Sequence, residues 1–512
     1  MDQNHLNNLN MKNFLMKNFL PSRRQAVRFA LLVTVSWTFA TIANAAPAQD
    51  TATNGCVDRL AVGQRGVAIP PRLASLRYTC MTLASGKRIL VGEAGRAQDP
   101  AVLLIHGLGN NAHRDWRNVV PALEKQCRVI VLDLPGFGAS DALPLDYSFA
   151  ALAATVAEVL DRLGVARAHV VGHSLGGALS LEFAHRYRQR VERLVLVDAA
   201  GILHKTVFAR NITQVEIPTT GVASVDRLLD GVNRRIKEWR RAILQELEDG
   251  FDFGRWLNDN PRVRNALIGE YTHVDAALGL IEHDFTRAIR EMSAPTILIW
   301  GREDPIAPLR TGVLLATRLP NAQLHVMDGV RHVPMGEDTA RFMAILLPAL
   351  TAPLPAKFTP TVPDVRHGNV ACRDRPGATF TGRFDSLTLT NCINAKIENA
   401  RIRQLTLTSS TATLTYATID SVDTALTAKD SRIIATAVEI RGRVAIRADN
   451  SELDFAGVTV RAAERGIDTS PDSRLYFSVS DLAAPEFTGD AHFIWPANMR
   501  PDGKPAESKA TR

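Results

Sequence analysis

Between residues 101 and 327 short, dry runs of Val, Ile and Leu alternate with longer amphipathic stretches, and that rhythm leaves few folds open. The dry runs fall at 101–105, 129–132, 169–171, 194–197, 296–300 and 323–327, and residues 148–163 and 175–188 carry helical spacing. Strands that are apolar along their whole length, separated by amphipathic helices, predict a parallel sheet covered on both faces. Ahead of them, 78–84 and 88–91 flank Ser85-Gly86-Lys87 and read as a hairpin. Residues 202–293 break the rhythm with helix formers and charge. About ninety residues between two strands is far longer than an ordinary connection of about 2–6, so this insertion predicts a helical cap over the open end of the sheet.

A different polymer begins at residue 367. Thr, Ala, Ser, Ile and Arg dominate, and short apolar triplets recur, as in Leu387-Thr388-Leu389, Leu405-Thr406-Leu407 and Val444-Ala445-Ile446. Asp430-Ser431-Arg432-Ile433 is echoed by Asn450-Ser451-Glu452-Leu453 twenty residues on. A period of that size predicts stacked coils, each burying its face on the next: an all-β domain of the β-solenoid, parallel β-helix-like kind over 367–497. Pro353, Pro355, Pro360 and Pro363 mark 351–366 as a semi-rigid linker, and 498–512 reads as a disordered tail. The linker predicts two independent modules, so a chain ending near Leu350 is expected to fold and act alone on small substrates.

The apolar run 29–46 follows Arg23, Arg24 and Arg28, is broken by Thr34, Ser36, Thr38 and Thr41, and ends in Ala43-Asn44-Ala45. That is the layout of a cleaved export signal over 1–45, with Ala46-Pro47-Ala48 as a second cleavage option. No integral membrane span is expected after cleavage. Ser22-Arg23-Arg24 partly resembles a twin-arginine signal, but Ala26 stands where a bulky apolar residue belongs. The formal charge of +7 includes five basic residues against Asp2 in this segment, leaving +3 for the rest. With no dense basic block interleaved with aromatics, nucleic acid is excluded as a partner. In an oxidising compartment the five cysteines pair most economically as Cys372–Cys392 and Cys56–Cys80, leaving Cys127 as a buried thiol.

Four segments carry chemistry. Gly172-His173-Ser174-Leu175-Gly176 fits G-x-S-x-G between a strand and a helix, the setting that lifts a serine hydroxyl above a sheet over a helix N-terminus. Ser174 is the candidate nucleophile, and it needs a base. Of thirteen histidines, His332 lies in the loop after the last dry run, at the sheet edge that carries Ser174. His173 should point elsewhere, since consecutive residues on a tight turn diverge. The orienting acid is Asp304, just after the run ending at Trp300; Asp198, after 194–197, competes, and Glu303 is a weaker third. His106-Gly107-Leu108-Gly109 follows the strand 101–105, so backbone N–H groups of Leu108 and Leu175 are the candidate oxyanion hole, with His106 bracing the loop.

Together with Asp133-Leu134-Pro135-Gly136-Phe137-Gly138-Ala139-Ser140, these segments resemble the α/β-hydrolase family in its capped esterase/lipase-like branch, over about residues 72–350. The resemblance implies a hydrolase domain within 46–350 and Ser174, Asp304 and His332 in the family's order. It needs no metal or organic cofactor. Because position 174 is Ser rather than Asp, it argues against branches that attack through a carboxylate. The function expected is an exported, periplasmic or secreted, serine hydrolase that cleaves a small-molecule or lipid carboxylic ester through an acyl-enzyme. Acyl transfer, thioester cleavage and carbon–carbon bond hydrolysis use the same triad. A surface or carbohydrate-binding protein with a vestigial hydrolase half is the competing class. The β half, which the family does not supply, is expected to bind a polymer or the cell envelope.

Overall fold

The computed structural model describes residues 75–109, 112–142, 147–204, 272–353, 359–488 and 492–494, with Cys56 and Val207 besides. The expected signal segment and tail, and the cap between residues 208 and 271, lie outside the described residues.

Eight strands form one sheet in the order β1-β2-β4-β3-β5-β6-β7-β8. The hairpin β1 (Arg77–Thr82) and β2 (Arg88–Ala94) is antiparallel, and β2 also runs antiparallel to β4 (Arg128–Leu132). From β4 onward every pairing is parallel, through β3 (Ala101–Ile105), β5 (Ala168–His173), β6 (Val191–Val197), β7 (Thr296–Gly301) and β8 (Ala322–Met327). The dry runs are dry because both faces are covered. Leu103, Val170 and Leu196 point into one core and Val102, Val171 and Val195 into the other.

Helices α1 (Val120–Leu123), α2 (Phe149–Arg162) and α3 (Leu175–Arg186) follow the rhythm read from the sequence. Ser148 caps α2, its Oγ accepting from Ala151 N. The described C-terminal stretch of the insertion contains α4 (Thr272–Glu282) and α5 (Thr286–Glu291). Three more helices follow, α6 (Leu309–Arg318), α7 (Pro334–Glu337) and α8 (Thr339–Thr351).

Strands β9 to β22, from Asn369 to Ile494, pair only in parallel, each with a strand about one repeat further on. One corner explains the period. Asn391, Ser409, Asp430 and Asn450 adopt positive φ, a conformation Asn and Asp tolerate best, and each turns the chain. A buried serine follows three of them, and the backbone N–H of each donates to the next serine's Oγ: Ser410 to Ser431, Ser431 to Ser451, and Ser451 to Ser473. Each of these hydroxyls in turn donates to a carbonyl two residues back, so the ladder carries side-chain bonds through the corner. Cys392 holds the same corner one rung earlier, its N–H donating to Ser410 Oγ, and is disulfide-bonded to Cys372. Cys56–Cys80 is the second disulfide, and Cys127 is a buried free thiol.

The two halves meet at α6. Arg310, Leu314 and Arg318 are spaced four apart, so they share one face of that helix, and the face lies on the β domain. The Arg310 guanidinium grips both carboxylate oxygens of buried Asp454, at 2.5 and 3.0 Å, and Thr436 Oγ1 at 3.2 Å. Arg318 and Arg290 share Asp481. Ala456, Tyr476 and Val479 belong to the hydrolase core cluster. The outward column that begins with exposed Thr413 on β12 (Thr411–Thr415) continues to Ile434 on β15 (Arg432–Thr436). It then becomes buried Asp454 on β17 (Glu452–Ala456) and buried Tyr476 on β19 (Arg474–Ser478). Thr-rich strands read as a solvated face; its later rungs are a docking face. Asp454→Ala strands a half-buried guanidinium and is expected to lower the unfolding free energy by about 3 kcal/mol, measured by chemical denaturation. A loss below about 1 kcal/mol would show that the pair is structurally idle.

Candidate active site

The turn between β5 and α3 holds Ser174 at φ 53° and ψ −116°, outside the allowed regions of ordinary residues. Two glycines make room for it. A Cβ at position 172 would stand 2.1 Å from the carbonyl oxygen of Gly176, and one at 176 would stand 2.3 Å from that of Ile105. The strained backbone is pinned by Ser174 N donating to Val197 O at 2.9 Å and by Ala178 N donating to Ser174 O at 3.1 Å. The hydroxyl so presented lies over the N-terminus of α3.

The structure brings the three expected residues into one chain of hydrogen bonds. His332 Nδ1 is 2.7 Å from Asp304 Oδ2, and His332 Nε2 is 3.0 Å from Ser174 Oγ. The other oxygen of Asp304 accepts from the backbone N–H of Ile306 and Ala307, which fixes the carboxylate plane. Leu108 lies in the loop after β3, and Leu175 opens α3, whose first amides have no partner within the helix. His106 braces that loop: its Nδ1–H donates to Gly107 O at 2.7 Å, and its Nε2 accepts from Leu134 N at 2.9 Å. Burial pushes its pKa down, which keeps this neutral tautomer.

The competitor Asp198 does not bond His332. It is fully buried, and its Oδ1 accepts from Gly301 N at 2.9 Å, tying the ends of β6 and β7 together. Burial, then the Asp304 carboxylate beside it, holds its pKa well above the usual carboxylate range. Asp304, through its bond to His332 Nδ1, is the carboxylate that faces the imidazole. Glu303 stands next to Asp304 but bonds through its backbone N–H to Val330 O.

Two histidines did more than the sequence reading assigned them. His173, expected merely to point away, donates from Nε2 to the carbonyl of His332 at 2.7 Å and so fixes the loop that carries the base. Its neighbour Asp115, whose Oδ2 lies 3.9 Å from His173 Nδ1, is pulled in opposite senses: burial pushes its pKa up, while the nearby His173 and His106 and the N–H of Gly107 bring it below the usual range. His113 is buried and bonds Asp133 Oδ1 at 2.6 Å. Asp133 Oδ2 accepts from Ala139 N, so this pair holds the 133–140 turn beneath the site. An Asp set directly between an apolar strand and a Gly-rich turn is the sequence signal for that role.

His173, Asp198 and His332 form the one cluster among the described residues with metal-like spacing, ligand atoms within 4.8 Å of one another. His332 is already committed to Asp304 and Ser174, so a metal there would break the relay.

A serine on a strained strand–helix turn, a histidine–aspartate pair from later strand ends, and a parallel sheet with helices on both faces define a serine hydrolase architecture. The chain belongs to the α/β-hydrolase fold family, whose description matches residues 100–339. An uncharacterised protein of Mycobacterium tuberculosis is 31% identical over 266 residues, covering 51% of this chain and 77% of its own. A 2-hydroxy-6-oxononadienedioate/2-hydroxy-6-oxononatrienedioate hydrolase of Comamonas testosteroni is 31% identical over 272 residues, 51% of this chain and 91% of its own. A 2-hydroxy-6-oxo-6-phenylhexa-2,4-dienoate hydrolase of Burkholderia cepacia is 30% identical over 274 residues, 51% and 91%. Among solved structures, the meta-cleavage product hydrolase of Pseudomonas fluorescens is 25% identical, with a TM-score of 0.39 over 54% of this chain and 98% of that one.

Burial lowers the pKa of His332 more than its bond to Asp304 raises it, and His173 adds to the lowering. The base must be neutral to take a proton, so the acid limb of kcat/KM should lie below the ordinary histidine value of about 6.5. The sign for stability is the same: below about pH 6.5 the unfolded chain binds a proton that the folded one resists, so stability falls as pH falls through that window. Asp304→Asn removes the raising bond and should move the limb further down. A limb above pH 7 in the wild type would show that the carboxylate, not burial, dominates.

Proposed function

We propose that this chain is an exported serine hydrolase that cleaves carboxylic esters through an acyl-enzyme on Ser174. The observation that carries the reading is the unbroken Asp304–His332–Ser174 relay. Ser174 Oγ attacks the carbonyl carbon while its proton passes to His332 Nε2, and Asp304 stabilises the imidazolium. The oxyanion is held by the N–H groups of Leu108 and Leu175. His332 then gives its proton to the leaving alcohol. A water, deprotonated by the same nitrogen, attacks the acyl carbon, and the acid leaves as Ser174 regains its proton. Two disulfides support an oxidising destination, and no helix among the described residues is long and apolar enough to cross a membrane. Binding of a polymer or cell-envelope component remains our proposal for the exposed rungs of the β domain.

A second reading is favoured by the relatives, several of which are named hydrolases of 2-hydroxy-6-oxo dienoates. The bond cleaved would then be carbon–carbon, beside a ketone. The relay serves both, but the demands differ: an alkoxide can leave and be protonated afterwards, whereas a carbanion must be stabilised or protonated as it forms.

Rates on p-nitrophenyl esters of rising chain length, set against a 2-hydroxy-6-oxo dienoate, separate the two. The ester reading expects a kcat/KM at least tenfold higher on the best ester, and the reverse ranking would replace it. Ser174→Ala should lose about six orders of magnitude in kcat, leaving what binding and the oxyanion hole supply. Asp304→Asn should lose about four. Asp198→Asn keeps the acceptor for Gly301 N–H and should lose less than about tenfold; a larger loss than Asp304→Asn would transfer the acid role to Asp198.

A further inference from the structure

Seven residues after the β6 strand the chain has left the hydrolase sheet, and on the way it touches both the nucleophile and the β domain. Ala199 packs on α3 so closely that a Cβ at Gly177 would stand 2.8 Å from its own. Ala200 N donates to the carbonyl oxygen of Ser174 at 3.3 Å. Gly201, at φ 77°, turns the chain under Leu280 of α4. Four residues past Ala200, His204 N donates to Ser478 Oγ at 2.7 Å, and the imidazole lies with its centroid 5.9 Å from that of Tyr476. Ser478 and Tyr476 are buried on the outward side of β19, and Ala456, the partner of Ser478 in the ladder, is buried with them.

We propose that the β domain is the outer wall of the active site: Ser478 and Tyr476 are positioning residues that fix the Ala199–His204 segment beside Ser174 and thereby set which acyl groups the site accepts. Ala199, Ala200, Ile202 and Leu203 are buried and none carries a polar side chain, and backbone bonds at Ala200 and His204 tie the two ends of the segment. One end is bonded to the nucleophile's own backbone and the other to the β domain. A shift of the His204 end therefore moves the segment about the Ser174 end. The relatives, each covering half of this chain, do not account for the second anchor.

The proposal rests on Ser174 being the nucleophile, and its test is built to fail separately. Ser478→Ala removes the acceptor of the His204 N–H and nothing from the relay. Hydrogen exchange at the His204 amide should rise about tenfold in the variant. On p-nitrophenyl esters kcat/KM should fall about fivefold for long acyl chains, mainly through KM, with the shortest ester changed less than twofold. Ser478→Thr, which keeps the hydroxyl, should restore both. Ser431→Ala, in the serine ladder away from α6, serves as the control for simple destabilisation: it should lower Tm without altering chain-length preference. Unchanged exchange at His204, or raised exchange with an unchanged chain-length profile, would overturn the proposal, as would an equal effect of Ser431→Ala. Failure of a fluorophosphonate to label Ser174 in the wild type would instead sink the catalytic reading, and exchange at His204 together with ligand-induced protection of the Ala199–His204 peptide would still decide this one.

Discussion

Everything in the site hangs from the carboxyl ends of strands that are dry on both sides. Ser174 follows β5, Asp198 follows β6, Asp304 follows β7 and His332 follows β8, so four reactive groups from distant parts of the chain reach one edge without any loop having to search for the others. The packing of Val, Ile and Leu on both faces is what holds those strand ends in register, and close-packed interiors do not deform gradually. The strain at Ser174 is tolerable for the same reason: its carbonyl and N–H are tied to Ala178 and Val197, groups that belong to the sheet and the helix rather than to a mobile loop.

Several buried carboxyl groups are each held by a basic partner: Asp133 bonds His113, Asp304 bonds His332, and Asp454 bonds Arg310. Asp198 differs, since its Oδ2 has no hydrogen-bond partner. Burial, then the Asp304 carboxyl beside it, raises its pKa well above the usual carboxylate range. The same arithmetic of unlike environments gives His332 its depressed affinity for protons while Asp304 remains available to the imidazolium that forms in the reaction.

The α/β half was legible because each of its signals is local and periodic. A dry run, a glycine pair and a serine on a strand–helix boundary sit within ten residues of one another, and the family order Ser174, Asp304, His332 required only strand ends. The choice of Asp304 over Asp198 was legible only in part, since both follow strands and the difference lies in which oxygen faces the imidazole. His173 holding the carbonyl of His332 was not legible at all, because no motif fixes which way the side chain beside the nucleophile turns. In the β half the 20-residue echo pointed to parallel rungs, and the Asn/Asp-Ser pairs that create it turned out to be corners. The docking face was missed for a physical reason. Its outward positions change from Thr413 to Ile434 to Asp454 to Tyr476 one residue at a time, and a repeat is read by what stays constant.

The serine ladder and the docked rungs also bear on how the chain is made. Arg310 and the exposed side of α6 emerge from the ribosome well before Asp454 and Asp481, the groups that neutralise and cover them. At synthesis rates of about 5–20 residues per second that interval is on the order of ten seconds. During it the hydrolase half carries an uncovered apolar strip flanked by two unpaired guanidinium groups. Each new rung can only be laid on the one before, so the cover arrives last and from one direction. Order of synthesis, rather than stability alone, therefore decides how long this half must be shielded before it is whole.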